Sequence, residues 1–261
     1  MVKKINHIYT SLILIFLYLP IFVLIIFSFN NSKVARVWKG FTLKWYQEII
    51  DEDIMKALFI TISIALLATV ISTVFGTLTA IGIHNLTSKQ RKLILNLNNL
   101  PILNPDIVTG VSLMILFIAF TFKLGYGTML TAHVIFNTPY VILSILPKLK
   151  QLNPNLLEAA LDLGATPLQA IRKIIIPQLA PGIITGALIA FTLSIDDFII
   201  SYFTTGRGVE NLSIWIFNQT RKGVTPAANA ISTIMLVIVI ILLTIIFLRL
   251  AKDYKKKPNQ I

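Results

Sequence analysis

Few residues in this chain could do chemistry, and their spacing does not favour bond-making catalysis. There is no Cys, which excludes disulfides, thiolate metal sites and Cys nucleophiles. No G-x-x-x-x-G-K-[ST] phosphate loop, H-E-x-x-H or G-x-S-x-G occurs. The three His residues, His7, His84 and His133, are scattered, and each reads as an interfacial or packing residue. What stands out is the adjacent pair Asp196 and Asp197 inside an otherwise apolar run. A carboxylate at the centre of a membrane span costs about 2.5–3.5 kcal/mol on insertion scales, so the pair is a candidate for function. Phe198 and Tyr202 follow closely and offer ring faces for cation–π contact. The same acids suit structural work, either pairing with a Lys or Arg of a neighbouring subunit or capping a broken helix. Asp106, directly after Pro105, reads as a helix N-terminal residue more readily than as a ligand.

These residues sit in a chain of 261 that is 56% hydrophobic and only 13% charged, too apolar for a soluble domain of this length. The apolar residues come in long blocks, so their solvent is lipid. The formal net charge is +12. The basic residues lie in short connections between the blocks, where they meet anionic headgroups, so membrane lipid is the expected partner and nucleic acid is not.

Six all-α spans are expected: Ile8 to Phe29, Ala57 to Ile83, Ile102 to Phe122, Thr128 to Leu146, Ile183 to Phe203 and Ala227 to Leu250. The first run is too long for a signal-peptide core and lacks a following cleavage site, so it reads as an uncleaved span. Six spans put both termini on one side. With the termini cytoplasmic, fourteen of the 23 Lys and Arg fall inside and nine outside, which favours that orientation. No appended soluble domain, linker or internal repeat is read, so 1–261 is one transmembrane domain with its core at 57–250. The fifth span runs outward, and about thirteen residues at 1.5 Å each place Asp196 about 20 Å above Ile183, in the outer half. The side chains of Asp196 and Asp197 then point about 100° apart, so one of them faces any path.

The fourth connection, 147–177, is too polar to cross a membrane and too patterned for a simple loop. Asn153 and Pro154 read as an N-cap and N1 pair opening a helix through Leu163, with Gly164 as its left-handed stop. Thr166, Pro167 and Gln169 give a second start with capping-box spacing, and that helix is expected to run through Arg172 and Lys173 to a stop at Pro177. Leu156, Leu157, Ala160, Leu161 and Leu163 make an apolar face on the first helix, with Glu158 and Asp162 four apart on the other side.

The series Glu158-Ala159-Ala160, three residues, Gly164, nine residues, Ile174, one residue, Ile176, Pro177 closely resembles the EAA loop of the membrane-spanning subunits of ABC importers. The departure is Ile176, where that family commonly has Leu. The Asp196-Asp197-Phe198 segment, the start of the third span at Pro105-Asp106 and Leu43-Lys44-Trp45-Tyr46 in the first outer loop resemble the second permease subunits of spermidine/putrescine importers.

The resemblance implies a type I permease fold in a bacterial cell membrane, inner or sole. It also implies that Glu158, Ala159, Ala160, Gly164, Ile174 and Pro177 couple to a separate ATPase. The implied partners are a second homologous permease, two ATPase subunits and an extracellular or periplasmic solute-binding protein. No cofactor is expected in this chain, since ATP and Mg would be held by the ATPase. Polyamines are flexible polycations, so Asp196, Asp197, Phe198 and Tyr202 become the substrate-path candidates. The alternatives are another cationic or small organic solute, or a self-contained secondary transporter, which the absence of inverted repeats disfavours. Trp45 and Tyr46 read as an aromatic anchor at the headgroups rather than solute contacts. The last outer segment, 206–226, with Arg207, Glu210, Trp215, Arg221 and Lys222, reads as a loop that either receives the solute-binding protein or is solvated.

Overall fold

The structure, a computed structural model, describes residues 2–32, 37–153, 155–222 and 226–255. Pro154, and Lys33, Arg36, Lys256 and Lys257 among the 23 Lys and Arg counted for orientation, lie outside the described residues. In chain order the helices are α1 Val2–Ser28, α2 Lys44–Glu48, α3 Glu52–His84, α4 Ser88–Leu103, α5 Asp106–Ala119 and α6 Tyr126–Gln151. They continue as α7 Leu156–Asp162, α8 Pro167–Ala170, α9 Ile176–Ile195, α10 Ile199–Thr204, α11 Leu212–Lys222 and α12 Pro226–Lys255. A π-helical turn, Ile171–Ile175, joins α8 to α9. Among the described residues the β structure is one isolated bridge between Asn30 and Phe41.

Four stretches are long and apolar enough to cross a bilayer alone: Tyr9–Ser28, Glu52–His84, Tyr126–Gln151 and Pro167–Ile195. The third span, expected over Ile102 to Phe122, is corrected at its start, where the helix begins at Asp106. Ile102 belongs to the end of α4, and α4 meets α5 at a 105° bend. Pro105 has no N–H and disfavours helical geometry in the residue before it, and Asn104 is accordingly extended at φ −82, ψ 144. Asp106 then sits in the first turn of α5, where a negative charge meets the positive end of the helix. The sixth expected span begins at Pro226 in α12, with an apolar stretch Pro226–Ile241.

The described residues fall into two compact units. The first comprises Met1–Lys56 and Ile214–Thr244. In it the segment after α1 folds on itself around Asn30. The Asn30 amide group donates to the Val37 carbonyl and accepts from the Lys39 amide, at 2.8 and 2.9 Å. The Trp45 indole donates to the Asn30 carbonyl at 2.7 Å, and Trp45 is 7% exposed. Trp45 is therefore an internal staple, which corrects its reading as a headgroup anchor. Tyr46 stacks on Phe29, with ring centroids 5.1 Å apart, and its hydroxyl pairs with Ser28.

The second unit comprises Ala57–Ser213 and Ile245–Ile261, and α6 is its hub. Val141, Ile142, Ile145 and Leu149 of α6 pack with Leu179 and Ala190 of α9. In lipid, water release does not drive helices together, so close contact must, and small residues make it possible. Gly76 of α3 and Gly186 of α9 both face Val141. A Cβ at Gly76 would fall 2.6 Å from a Val141 methyl, and one at Gly182 would fall 3.0 Å from the Ser144 carbonyl. A second cluster, Leu113, Phe117, Ala132, Phe136 and Ile200, ties α5, α6 and α10 together.

Two further elements differ from expectation. Residues 88–103 form α4 rather than an open connection, begun by a Thr87–Gln90 capping box. The segment 206–226, expected as an outer loop, contains the helix α11.

Candidate functional site

Two places concentrate the residues that the sequence singled out. The first is the helix–turn–helix between α6 and α9. The Asn153 side chain accepts from the Asn155 amide at 3.0 Å, and α7 begins at Leu156. Gly164 has φ +83, the left-handed stop that an L-residue rarely adopts. The turn is closed by the Gly164 amide donating to the Leu161 carbonyl at 2.9 Å and the Ala165 amide donating to the Ala160 carbonyl at 3.1 Å. At Thr166 and Gln169 the capping box is reciprocal: each side chain accepts from the other residue's amide, at 3.3 and 3.0 Å.

The expected stop at Pro177 is corrected. Helix continues from Pro167 to Ile195. Pro177 lies in the first turn of α9, directly after the π turn, whose wider bond register absorbs the missing N–H and the ring. The knob and the fifth span are thus one rod of 29 residues, about 43 Å at 1.5 Å per residue.

Glu158 and Ala159 face solvent, Ala160 is buried, Ile174 is half-buried and Pro177 is exposed. Glu158 lies in the first turn of α7, where the helix end favours a negative charge. Leu163 and Leu168, on either side of the Gly164 turn, are 89% and 74% exposed.

The second place is Asp196 to Tyr202, where the structure corrects the continuous fifth span. α9 ends at Ile195, with Asp196 as its C-cap, and α10 restarts at Ile199. The two acids therefore do not share one helix, and the 100° argument does not apply. Asp196 is exposed, its backbone carbonyl accepting from the Ser213 hydroxyl at 3.3 Å. Asp197 turns inward, its side chain only 8% exposed. Its two carboxylate oxygens accept from the amides of Ile200 and Ser201 at 3.3 and 2.8 Å, which caps α10.

Around Asp197 lies a buried polar group that the sequence did not assemble. His133 Nε2 is 2.9 Å from the Ser201 hydroxyl and 3.5 Å from an Asp197 oxygen. Asn211 donates both to that hydroxyl and to the Asp197 carbonyl, at 2.8 and 3.1 Å. Nearby along the same seam, Asn137 donates to Ser194 at 2.7 Å, and Thr128 donates to the Thr204 carbonyl at 2.7 Å. The signal available in the sequence was the run His133, Asn137, Tyr140 and Ser144, one polar stripe at helical spacing on an apolar helix. The Phe198 and Tyr202 rings meet at 5.3 Å between centroids with their planes tilted by 40°, and Tyr202 is exposed. Among the described residues no group of three or more acids and imidazoles is placed to hold a metal ion.

Comparison with known proteins follows the same lines. Residues 72–256 match the family described as "Binding-protein-dependent transport system inner membrane component". The chain is 38% identical to the spermidine/putrescine transport system permease protein PotC of Haemophilus influenzae, covering 85% of this chain and 87% of that one. It is 38% identical to the putrescine transport system permease protein PotI of Escherichia coli, covering 85% and 82%. Among solved structures, a chain of a bacterial ABC transporter that imports the polysaccharide alginate superposes with a TM-score of 0.70 at 17% identity, covering 99% of this chain and 98% of that chain. A chain of the MetNI methionine ABC transporter in inward-facing form superposes with a TM-score of 0.61 at 16% identity, covering 78% and 99%.

Proposed function

Because the chain belongs to the family of binding-protein-dependent transport system inner membrane components, and so is a multi-pass membrane permease, we propose that it is one of two transmembrane subunits of an ATP-driven polyamine importer. Its partners are a homologous permease, two ATPase subunits and a solute-binding protein on the outer face. The termini and the Gly164 knob are cytoplasmic. This chain makes and breaks no bonds; the ATPase subunits hold and hydrolyse ATP with Mg.

The observation that carries this reading is the unbroken rod from Pro167 to Ile195, with an apolar-tipped knob at one end and a carboxylate break at the other. The exposed Leu163 and Leu168 and the acid Glu158 give an ATPase cleft a shape and a charge to hold. Ala159 and Ala160 keep that face small, Gly164 makes the turn, and Ile174 and Pro177 carry it into the span. A helix transmits an axial displacement without stretching, since its length is set by its hydrogen bonds. Movement of the knob therefore reaches Asp196 some 40 Å away as rigid-body motion, the kind that switches a passage between inward-open and outward-open states. The segment from Asp196 to Tyr202 borders the solute path, where a carboxylate and the Phe198–Tyr202 rings suit a flexible polycation. Polyamine is the solute because relatives that align along most of the chain are named for spermidine and putrescine.

The test is reconstitution of the chain with its companion subunits in vesicles. Labelled spermidine uptake should require ATP when the membrane potential is held constant, and putrescine should compete while sugars and amino acids do not. Uptake that persists without ATP would overturn the coupling, and competition by sugars alone would overturn the solute.

A further inference from the structure

The two neighbouring acids at the break stand in opposite electrostatic settings. Asp196 follows the last residue of α9. The final carbonyls of a helix carry partial negative charge and lack intrahelical donors, so a carboxylate there adds to the field instead of relieving it. Among the described residues no cation forms an ion pair with Asp196, and its side chain is exposed. Asp197 lies two residues before α10. Its oxygens receive two α10 amides, and His133, 1% exposed, stands 3.5 Å away. Ser201 bridges His133 and Asn211 through its hydroxyl, at 2.9 and 2.8 Å, and Asn211 also holds the Asp197 carbonyl. Among the described residues the Asp197 side chain is thus engaged by α10 amides and His133 of α6, while Asn211 holds its backbone carbonyl.

We infer that Asp197, His133, Ser201 and Asn211 are positioning residues that fix the break in the fifth span, and that Asp196 is the carboxylate of the pair that meets a solute ammonium group. The inference rests on the polyamine reading and refines it: one acid supplies charge, the other supplies hydrogen-bond acceptors. The break matters because a continuous helix would bond the carbonyls at the end of α9 to amides one turn on. With α9 ended at Ile195, its last turn places helix-end carbonyls beside the Asp196 carboxylate, a negative setting that suits an ammonium group.

Charge and hydrogen bonding respond differently to an amide. At position 197 Asn keeps one of the two acceptor oxygens that the Ile200 and Ser201 amides use, and at either position it carries no charge for an ammonium group. In the reconstituted complex, Asp197→Asn should therefore raise the KM for spermidine less than Asp196→Asn does, whereas Asp197→Ala should lower kcat and the amount of assembled complex. Asp196→Asn and Asp196→Ala should both raise KM at least tenfold with assembly unchanged. His133→Gln, which retains a side-chain polar group near Ser201, should preserve uptake better than His133→Leu. Loss of uptake in Asp197→Asn matching that in Asp196→Asn would overturn the division of roles.

A second readout does not depend on the solute. A water-soluble carbodiimide with an amine, followed by peptide mass spectrometry of the assembled complex, should modify Asp196 and spare Asp197, and equal modification of both would overturn the inference. If the wild-type complex takes up no polyamine yet labels at Asp196 alone, the solute assignment fails while the division of roles stands.

Discussion

Gly164 offers the sharpest test of how the knob is built. Its φ is +83, and a Cβ placed there meets nothing within 4 Å. Within this chain a side chain therefore costs backbone strain and no clash. For an L-residue such as Ala the left-handed region costs about 1–2 kcal/mol, Asn pays less because its short polar side chain bonds locally, and a β-branched residue is the worst case. One to two kcal/mol reduces the population of the turned form by a factor of about 5–30. The turn is held by only two bonds, from the Gly164 and Ala165 amides, so it has little to offset such a loss.

The series Gly164→Asn, Gly164→Ala and Gly164→Val should therefore lower uptake per ATP hydrolysed in that order, with Asn near wild type and Val uncoupled. The amides of Gly164 and Ala165 should lose protection from hydrogen exchange in the same order. The assay is labelled-solute uptake and phosphate release from one vesicle preparation. If Asn and Val uncouple equally while exchange is unchanged, the residue is required for a close fit to the ATPase and not for its dihedral angle. If Val transports normally, the left-handed turn has no mechanical role.

Further expectations follow from the packing and the caps. Gly76→Ala forces a Cβ to within 2.6 Å of Val141 and should cost about 1–3 kcal/mol as overpacking; adding Val141→Ala should recover part of it in a detergent melting scan, and full additivity would remove that contact from the account. Thr166→Ala removes the acceptor for the Gln169 amide and should cost about 1 kcal/mol of local helix stability, read as faster exchange at Gln169, while Thr166→Ser stays close to wild type. The chain has no Cys, so Leu163→Cys, at a position 89% exposed, supplies a unique thiol. An impermeant maleimide should reach it from the cytoplasmic side alone, and added ATPase subunit should protect it. Labelling from the outer face would invert the orientation.

The sequence by itself determined the membrane class, the long apolar blocks and the helix–turn–helix around Gly164. A long apolar block tolerates few solvents, and the φ requirement at Gly164 and the Thr166–Gln169 box are local demands met by residues within a few positions of each other. The Thr87–Gln90 box that opens α4 was equally local and equally readable. What tertiary structure alone decided was the fate of the apolar stretch around Asp196 and Asp197. Periodicity saw one continuous run there, because a run of apolar residues with two acids reads the same straight or broken. The break exists because His133 of α6 and Asn211, far apart in the chain, meet Ser201 and Asp197, and those partners make ending one helix and capping another more favourable than carrying two carboxylates through a single one. Likewise Pro177 reads as a stop until the π turn before it takes up the lost hydrogen bond, and Trp45 reads as a surface aromatic until the Asn30 carbonyl is found beneath it.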